Sequence, residues 1–153
     1  MIVEAQLGRL DPALALLQEL DPSAVGLAQH PKGYEAFVVA MAGDPEQARR
    51  IAVSFIAEVD RASDVIWHGE LVLLLGILAL RTGDTATAIT YFEAAKRAPM
   101  FFPFWYALTH RYSAQARSSL GEADEIAAAI ELGKSMSVET ILDRELRVRA
   151  TSA

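Results

Sequence analysis

Four glycines recur along this 153-residue chain at nearly even spacing, and a turn that returns at a fixed interval restricts a chain to a repeating architecture. Gly8, Gly43, Gly83 and Gly121 stand 35, 40 and 38 residues apart. Five residues after each glycine come Ala13, Ala48, Ala88 and Ile126, and nine after come Leu17, Ala52, Phe92 and Ile130, all of them apolar. Twelve after come Leu20, Phe55, Ala95 and Gly133. Seven before the last three glycines stand Ala36, Gly76 and Ala114, small residues that let two helices approach closely. Glycine adopts a turn conformation that other residues resist, so each of the four is expected to end one helix. Asp11-Pro12, Asp44-Pro45 and Asp84 follow as N-cap candidates for the next helix, and Gln47 is placed to complete a capping box with Asp44. Each unit therefore reads as helix, glycine turn, capped helix.

The resulting layout is all-α, with helices expected near 2–9, 12–20, 32–42, 45–61, 64–82, 85–98, 103–120, 122–133 and 138–149 and a short turn after Asp21-Pro22. No run alternates with period two over the length of a strand, so no β-sheet is expected. Short connections make sequence neighbours antiparallel. Gly133 is expected to end the eighth helix, Ser137 to cap the ninth, and Glu139 to sit in its favourable first turn. Val138, Ile141, Leu142, Leu146 and Val148 on that terminal helix are expected to cover the last repeat. The whole chain, 1–153, is read as a single domain of about four helix pairs, the first truncated, plus the terminal helix 138–149.

Composition bounds the function. A hydrophobic fraction of 52% against 22% charged residues describes a chain that folds. A net charge of −6 argues against direct nucleic-acid binding, which needs clustered Lys and Arg. There is no cysteine, hence no disulfide, thiolate nucleophile or Cys-based zinc site, as suits a reducing cytoplasm. The longest apolar run, Leu71 to Leu80, is too short to cross a bilayer, and the N-terminal Met1-Ile2-Val3-Glu4 lacks the basic and apolar regions of a secretory signal. No membrane association is expected. Abundant Ala, more Arg than Lys and the absence of Asn point to a GC-rich bacterial source.

Leu75, Gly76, Gly83, Ala88, Phe92 and Ala95 fall on the signature spacing of a tetratricopeptide repeat, with Pro99 one place early for the closing proline, and the chain resembles that family. Arg117 stands where the first helix of a repeat usually carries an aromatic or apolar residue. The resemblance implies a short solenoid of stacked antiparallel helix pairs with a C-terminal capping helix. It also implies a concave face, lined by the first helix of each pair, that takes a peptide. Carried over, that face comprises Phe37, Met41, Glu70, Leu73, Ile77, Arg81, Arg111 and Gln115, with Arg81 or Arg111 pairing a carboxylate. The chaperone-tail clamp of the family is not implied, because Lys32, Lys96 and Lys134 are the only lysines and none falls on the clamp positions.

A search for chemistry yields little. His30, His68 and His110 are the only histidines, and His68 and Glu70, two apart on a helix, point to different faces and do not share a metal. Gly133-Lys134-Ser135 ends like a phosphate loop, but Ala128 replaces the earlier glycine and a helix precedes it instead of a strand. The aromatic segment Phe101-Phe102-Pro103-Phe104-Trp105-Tyr106 has the composition of an interface hot spot and, equally, of a staple between the third and fourth repeats. No catalytic residue, metal or cofactor is expected, and the chain is read as no enzyme.

The expected function is a protein-interaction or scaffold module with a protein or peptide segment as partner. Ala107-Leu108 through Ala116, then Leu120-Gly121 and Gly133 through Glu139, also resemble the C-terminal repeat arm of large LuxR-like, ATPase-coupled bacterial transcriptional regulators. That resemblance implies a sensing or regulatory arm. The alternatives are a self-associating homodimer and a small-ligand-binding helical domain.

Overall fold

A computed structural model describes residues 1–19, 31–59, 66–100 and 102–152. Among the described residues the chain is all-helical and has no strand. The helices are α1 (Ile2–Gln6), α2 (Leu10–Gln18), α3 (Pro31–Ala42), α4 (Pro45–Glu58), α5 (Ile66–Arg81), α6 (Thr85–Ala95), α7 (Pro103–Leu120), α8 (Ala123–Ser135) and α9 (Val138–Ser152). The expected turn after Asp21-Pro22, and Leu20 with it, lie outside the described residues. The backbone packs into two compact units, Met1–Phe55 and Ile56–Ala153.

In the first unit α1, α2 and α3 pack on one another. Their shared core is small: Ala5, Ala13 and Val38 are buried, and Met1, Ile2, Leu10, Leu14, Met41 and Ala42 lean against them. Gly8 turns the chain with φ +74. Gly43 does not adopt a positive φ; it is small for a steric reason, since a Cβ there would stand 3.0 Å from Val39 Cγ1 and 3.3 Å from Leu10 Cδ2. Asp44 caps α4, accepting from the amides of Glu46 (3.2 Å) and Gln47 (3.1 Å). Asp11 is no cap: α2 begins at Leu10 with Arg9 at its N-cap, so Asp11 and Pro12 fall within the first turn.

The second unit is organised around α6, which touches α5, α7, α8 and α9. Every residue from Ala88 to Ala95 is buried, so over that stretch α6 presents no solvent face, while Ala86 in its first turn is exposed. Two of its neighbours approach it through glycine. A Cβ on Gly76 of α5 would stand 2.5 and 2.7 Å from ring carbons of Phe92, and a Cβ on Gly133 of α8 would stand 2.5 Å from the Thr90 carbonyl and 2.7 Å from Glu93 Cβ. Gly133 therefore does not end a helix. It sits inside α8, which continues to Ser135, and its role is to let α8 lie against the α6 backbone. The open end of α8 is closed from α6's side, where Arg97 Nη2 donates to the carbonyls of Gly133 (2.7 Å) and Met136 (2.8 Å).

The turn glycines behave as their spacing predicts, with φ +85 at Gly83 and +77 at Gly121. Asp84 caps α6 by accepting from the Thr87 amide at 3.2 Å, and Ser137 caps α9 by accepting from the Thr140 amide at 3.1 Å. Ala114 departs from the expected pattern: it is exposed on α7. The terminal helix departs too. Ile141 and Leu142 are buried, Val138 and Leu146 half-buried and Val148 exposed, but α9 lies on α5 and α6 and not on the last pair. Helix α5 is apolar on every side, from Leu71 to Ala79, and α9 covers a face of it that would otherwise meet water.

Two glycine substitutions test this arrangement. Gly76→Leu is expected to destabilise by about 1–3 kcal/mol or more, as overpacking does, because the Phe92 ring must move. Gly133→Ala is expected to cost a similar amount, about 1–3 kcal/mol, since what its methyl meets is the Thr90 backbone, which cannot rotate away. Denaturant unfolding monitored by circular dichroism reads both; a wild-type midpoint for Gly133→Ala would remove the close α6–α8 approach.

Candidate functional site

The eight residues expected on a concave face divide by depth. Phe37, Glu70, Leu73 and Ile77 are buried, and Met41 is half-buried against the Ala5–Ala13–Val38 core. Glu70, Leu73 and Ile77 follow each other at three and four residues, one stripe of a helix that has no solvent-facing side over this stretch. Arg81, Arg111 and Gln115 are exposed. Arg81 occupies the last turn of α5, where a cation also suits the helix dipole.

One residue within electrostatic range of both Arg81 and Arg111 was not selected by the sequence reading. Tyr112 of α7 stacks on Phe92 of α6, with ring centroids 6.2 Å apart and an interplanar angle of 25°. Burial pushes its hydroxyl above the usual phenol range, while the charges of Arg111 and Arg81 pull the other way. The phenol therefore stays protonated at neutral pH and is a hydrogen-bond donor within electrostatic reach of both guanidinium groups. Arginine, arginine and a tyrosine hydroxyl are a donor set suited to carboxylate oxygens.

A second polar constellation lies deeper. Glu93 of α6 is buried, and its Oε1 accepts from Lys96 Nζ (2.6 Å), Arg117 Nη2 (2.5 Å) and Ser113 Oγ (3.1 Å). Lys96 Nζ also donates to Ser113 Oγ at 2.9 Å. Burial pushes the Glu93 carboxyl upward, but the bonds and charges of Lys96 and Arg117 outweigh it and hold the group below the usual carboxylate range. The resemblance implied an aromatic or apolar residue at position 117; the arginine there crosses from α7 to neutralise a carboxylate on α6. The one signal in the sequence was that departure, together with Glu93 and Lys96 three residues apart.

The aromatic segment acts mainly as a staple. Phe101 lies outside the described residues; Trp105 is buried, and the Tyr106 hydroxyl donates to the Ala98 carbonyl (3.1 Å) and accepts from the Met100 amide (3.2 Å). Phe104 is exposed and meets Trp105 edge-on at 5.2 Å.

His30 also lies outside the described residues, and His110 is exposed. His68 is buried, with Nδ1 3.7 Å from Glu139 Oε1 of α9. Among the described residues no group of three or more His, Asp or Glu side chains is assembled to hold a metal ion, and no helix is long and apolar enough to cross a membrane. Gly133-Lys134-Ser135 is helical, with Lys134 paired to Glu131 at 2.7 Å, a geometry unlike a phosphate-cradling loop. The chain matches no family model, no curated protein and no solved structure.

The Glu93 cluster makes a pH-dependent prediction. A carboxyl whose folded pKa is lowered adds stability that is complete above its unfolded value and is lost as the pH falls through the folded one. Glu93→Gln is therefore expected to be less stable than wild type at neutral pH, and the difference should shrink below the ordinary value of 4.5. Arg117→Met is expected to cost about 1–2 kcal/mol at neutral pH, discounted for the partial exposure of the guanidinium. Urea titrations at neutral and acid pH check both; a gap for Glu93→Gln that does not change with pH would remove the ion cluster as its cause.

Proposed function

We propose that this chain is a protein-interaction module of the tetratricopeptide-like kind, and that it holds an extended or helical segment of a partner protein at the edge formed by Arg81, Arg111, Tyr112 and Gln115. The observation that carries this reading is the pair of exposed arginines on α5 and α7, both within electrostatic range of the Tyr112 hydroxyl. Their donors suit carboxylates of a partner, and the buried Phe92 stacked on Tyr112 holds the phenol in place.

Several features support the finer architectural reading of stacked helix pairs. The glycine turns at Gly8, Gly83 and Gly121 recur with the predicted backbone, Gly76 of α5 meets Phe92 of α6, and Ala88 and Ala95 are buried, all on the family's spacing. Ala107 through Ala116, Leu120-Gly121 and Gly133 through Glu139, which resemble the repeat arm of LuxR-like, ATPase-coupled regulators, favour a regulatory role in a bacterial cytoplasm, in which the module receives a partner and other chains or domains supply ATP hydrolysis and DNA reading.

The test compares wild type with the double variant Arg81→Glu, Arg111→Glu, both first shown to be equally helical, as baits in the source cytosol. A protein retained by wild type and lost by the variant is the expected result, read by mass spectrometry. A partner set identical for the two baits would move the binding surface elsewhere, and an empty wild-type bait would count against the module itself.

A further inference from the structure

His68, near the start of α5, is 2% exposed, and neither of its ring nitrogens is hydrogen-bonded among the described residues. Its Nδ1 lies 3.7 Å from Glu139 Oε1 of α9, within reach for an ion pair but too far for a hydrogen bond. Glu139 engages its own helix end first. Its backbone amide, against the opposing effect of burial, and then the Ser137 hydroxyl hold the carboxyl below the usual carboxylate range, and His68 contributes less. The same turn of α5 meets the α6–α7 connection, where a Cβ on Gly69 would stand 2.8 Å from the Pro99 carbonyl and 3.0 Å from Ala98 Cβ and Met100 Cγ. None of those residues bonds the imidazole. A buried polar atom left unanswered forfeits its hydration, and that hydration returns when the covering element lifts.

The covering element is built to lift separately. Helix α8 is tied to α6 by the close approach at Gly133, by Thr90 Oγ1 donating to the Ala129 carbonyl (3.2 Å), and by Arg97 donating to the carbonyls of Gly133 and Met136. Those ties end at Met136, where an extended backbone (ψ 137°) breaks the helix. Helix α9 then starts afresh with its own cap, Ser137 Oγ accepting from the Thr140 amide at 3.1 Å. It can therefore leave as a unit without uncoiling α8.

We propose that α9 is a releasable strap: it lifts from α5 and α6 about Met136 and Ser137 while α5 to α8 stay packed, and the unanswered imidazole of His68 eases its opening. Lifting uncovers His68 together with the apolar side of α5 that α9 covers. The strap is independent of the arginine edge, since Arg81 lies thirteen residues, about 20 Å, further along α5.

Native-state amide hydrogen exchange, read by NMR over a series of low urea concentrations, tests the strap. In wild type the amides of Leu142 to Leu146, in the middle of α9, are expected to open at least about tenfold more often than those of Ile89 to Glu93 in α6. Their opening should also depend less on urea, because it exposes less surface than global unfolding does. His68→Leu removes the unanswered nitrogens at similar volume and should slow the α9 exchange by about tenfold. Tyr91→Phe deletes the hydroxyl that donates to Glu145 at 3.0 Å and should speed it by about as much. One opening shared by α9 and α6, with a single urea dependence, overturns the proposal. So does a His68→Leu variant whose α9 amides exchange at the wild-type rate or faster.

Discussion

The second unit depends on helix α6 being buried on every side from Ala88 to Ala95, and on glycine making that burial dense. A helix with four neighbours has little room for branched or long side chains at each crossing. Gly76 lets the Phe92 ring lie on the α5 backbone, and Gly133 lets α8 settle on the Thr90 carbonyl and the Glu93 stem. With a side chain at either place the neighbour would be held off by the width of a methyl group or more, and the apolar contact around it would be lost with the spacing. Phe92 then passes the order on to Tyr112, whose ring rests against it. The position of the exposed arginine edge follows from a crossing made on the other side of the same phenylalanine.

Over its buried stretch, Ala88 to Ala95, α6 carries three polar side chains, and each is answered by a different neighbour. Thr90 Oγ1 donates to the Ala129 carbonyl of α8, the Tyr91 hydroxyl donates to Glu145 of α9, and Glu93 accepts from Arg117 and Ser113 of α7. Removing a buried polar group from water is unfavourable unless the bond is replaced, so an arrangement that misplaces one of these helices leaves a donor or acceptor unanswered. The apolar surface of α6 does not distinguish among α7, α8 and α9 as neighbours. Its three polar positions do, and the unit gains a specified order of helices from groups that add little net attraction.

Much of the helical layout was legible because its signals are local. Asp44, Asp84 and Ser137 cap the helices that follow them through amides two or three residues away, and Gly83 and Gly121 turn the chain through their own φ. Gly133 was misread by the same logic: a glycine near a helix end looks like a stop, and nothing nearby in sequence reveals that the Thr90 carbonyl lies against it. The eight positions carried over from the family pattern met the same limit. A helix stripe can be read from spacing, but whether it faces water depends on how many neighbours surround the helix. Leu73 and Ile77 are enclosed, while Arg81, one turn on, is exposed.

The sequence by itself determined that this protein is all-helical, where most of its helices start and stop, and which residues are apolar enough to form a core. Those properties arise from backbone conformation and hydrogen bonds within a turn or so of each residue, and they are written in order along the chain. Only the tertiary structure decided that α9 returns to α5 and α6, that Arg117 answers Glu93 across 24 residues of sequence, and that Tyr112 stands within reach of Arg81 and Arg111. Such placements follow from which surfaces must be covered and which buried charges must be neutralised at the same time, and that balance exists only when all the helices of the unit are present together.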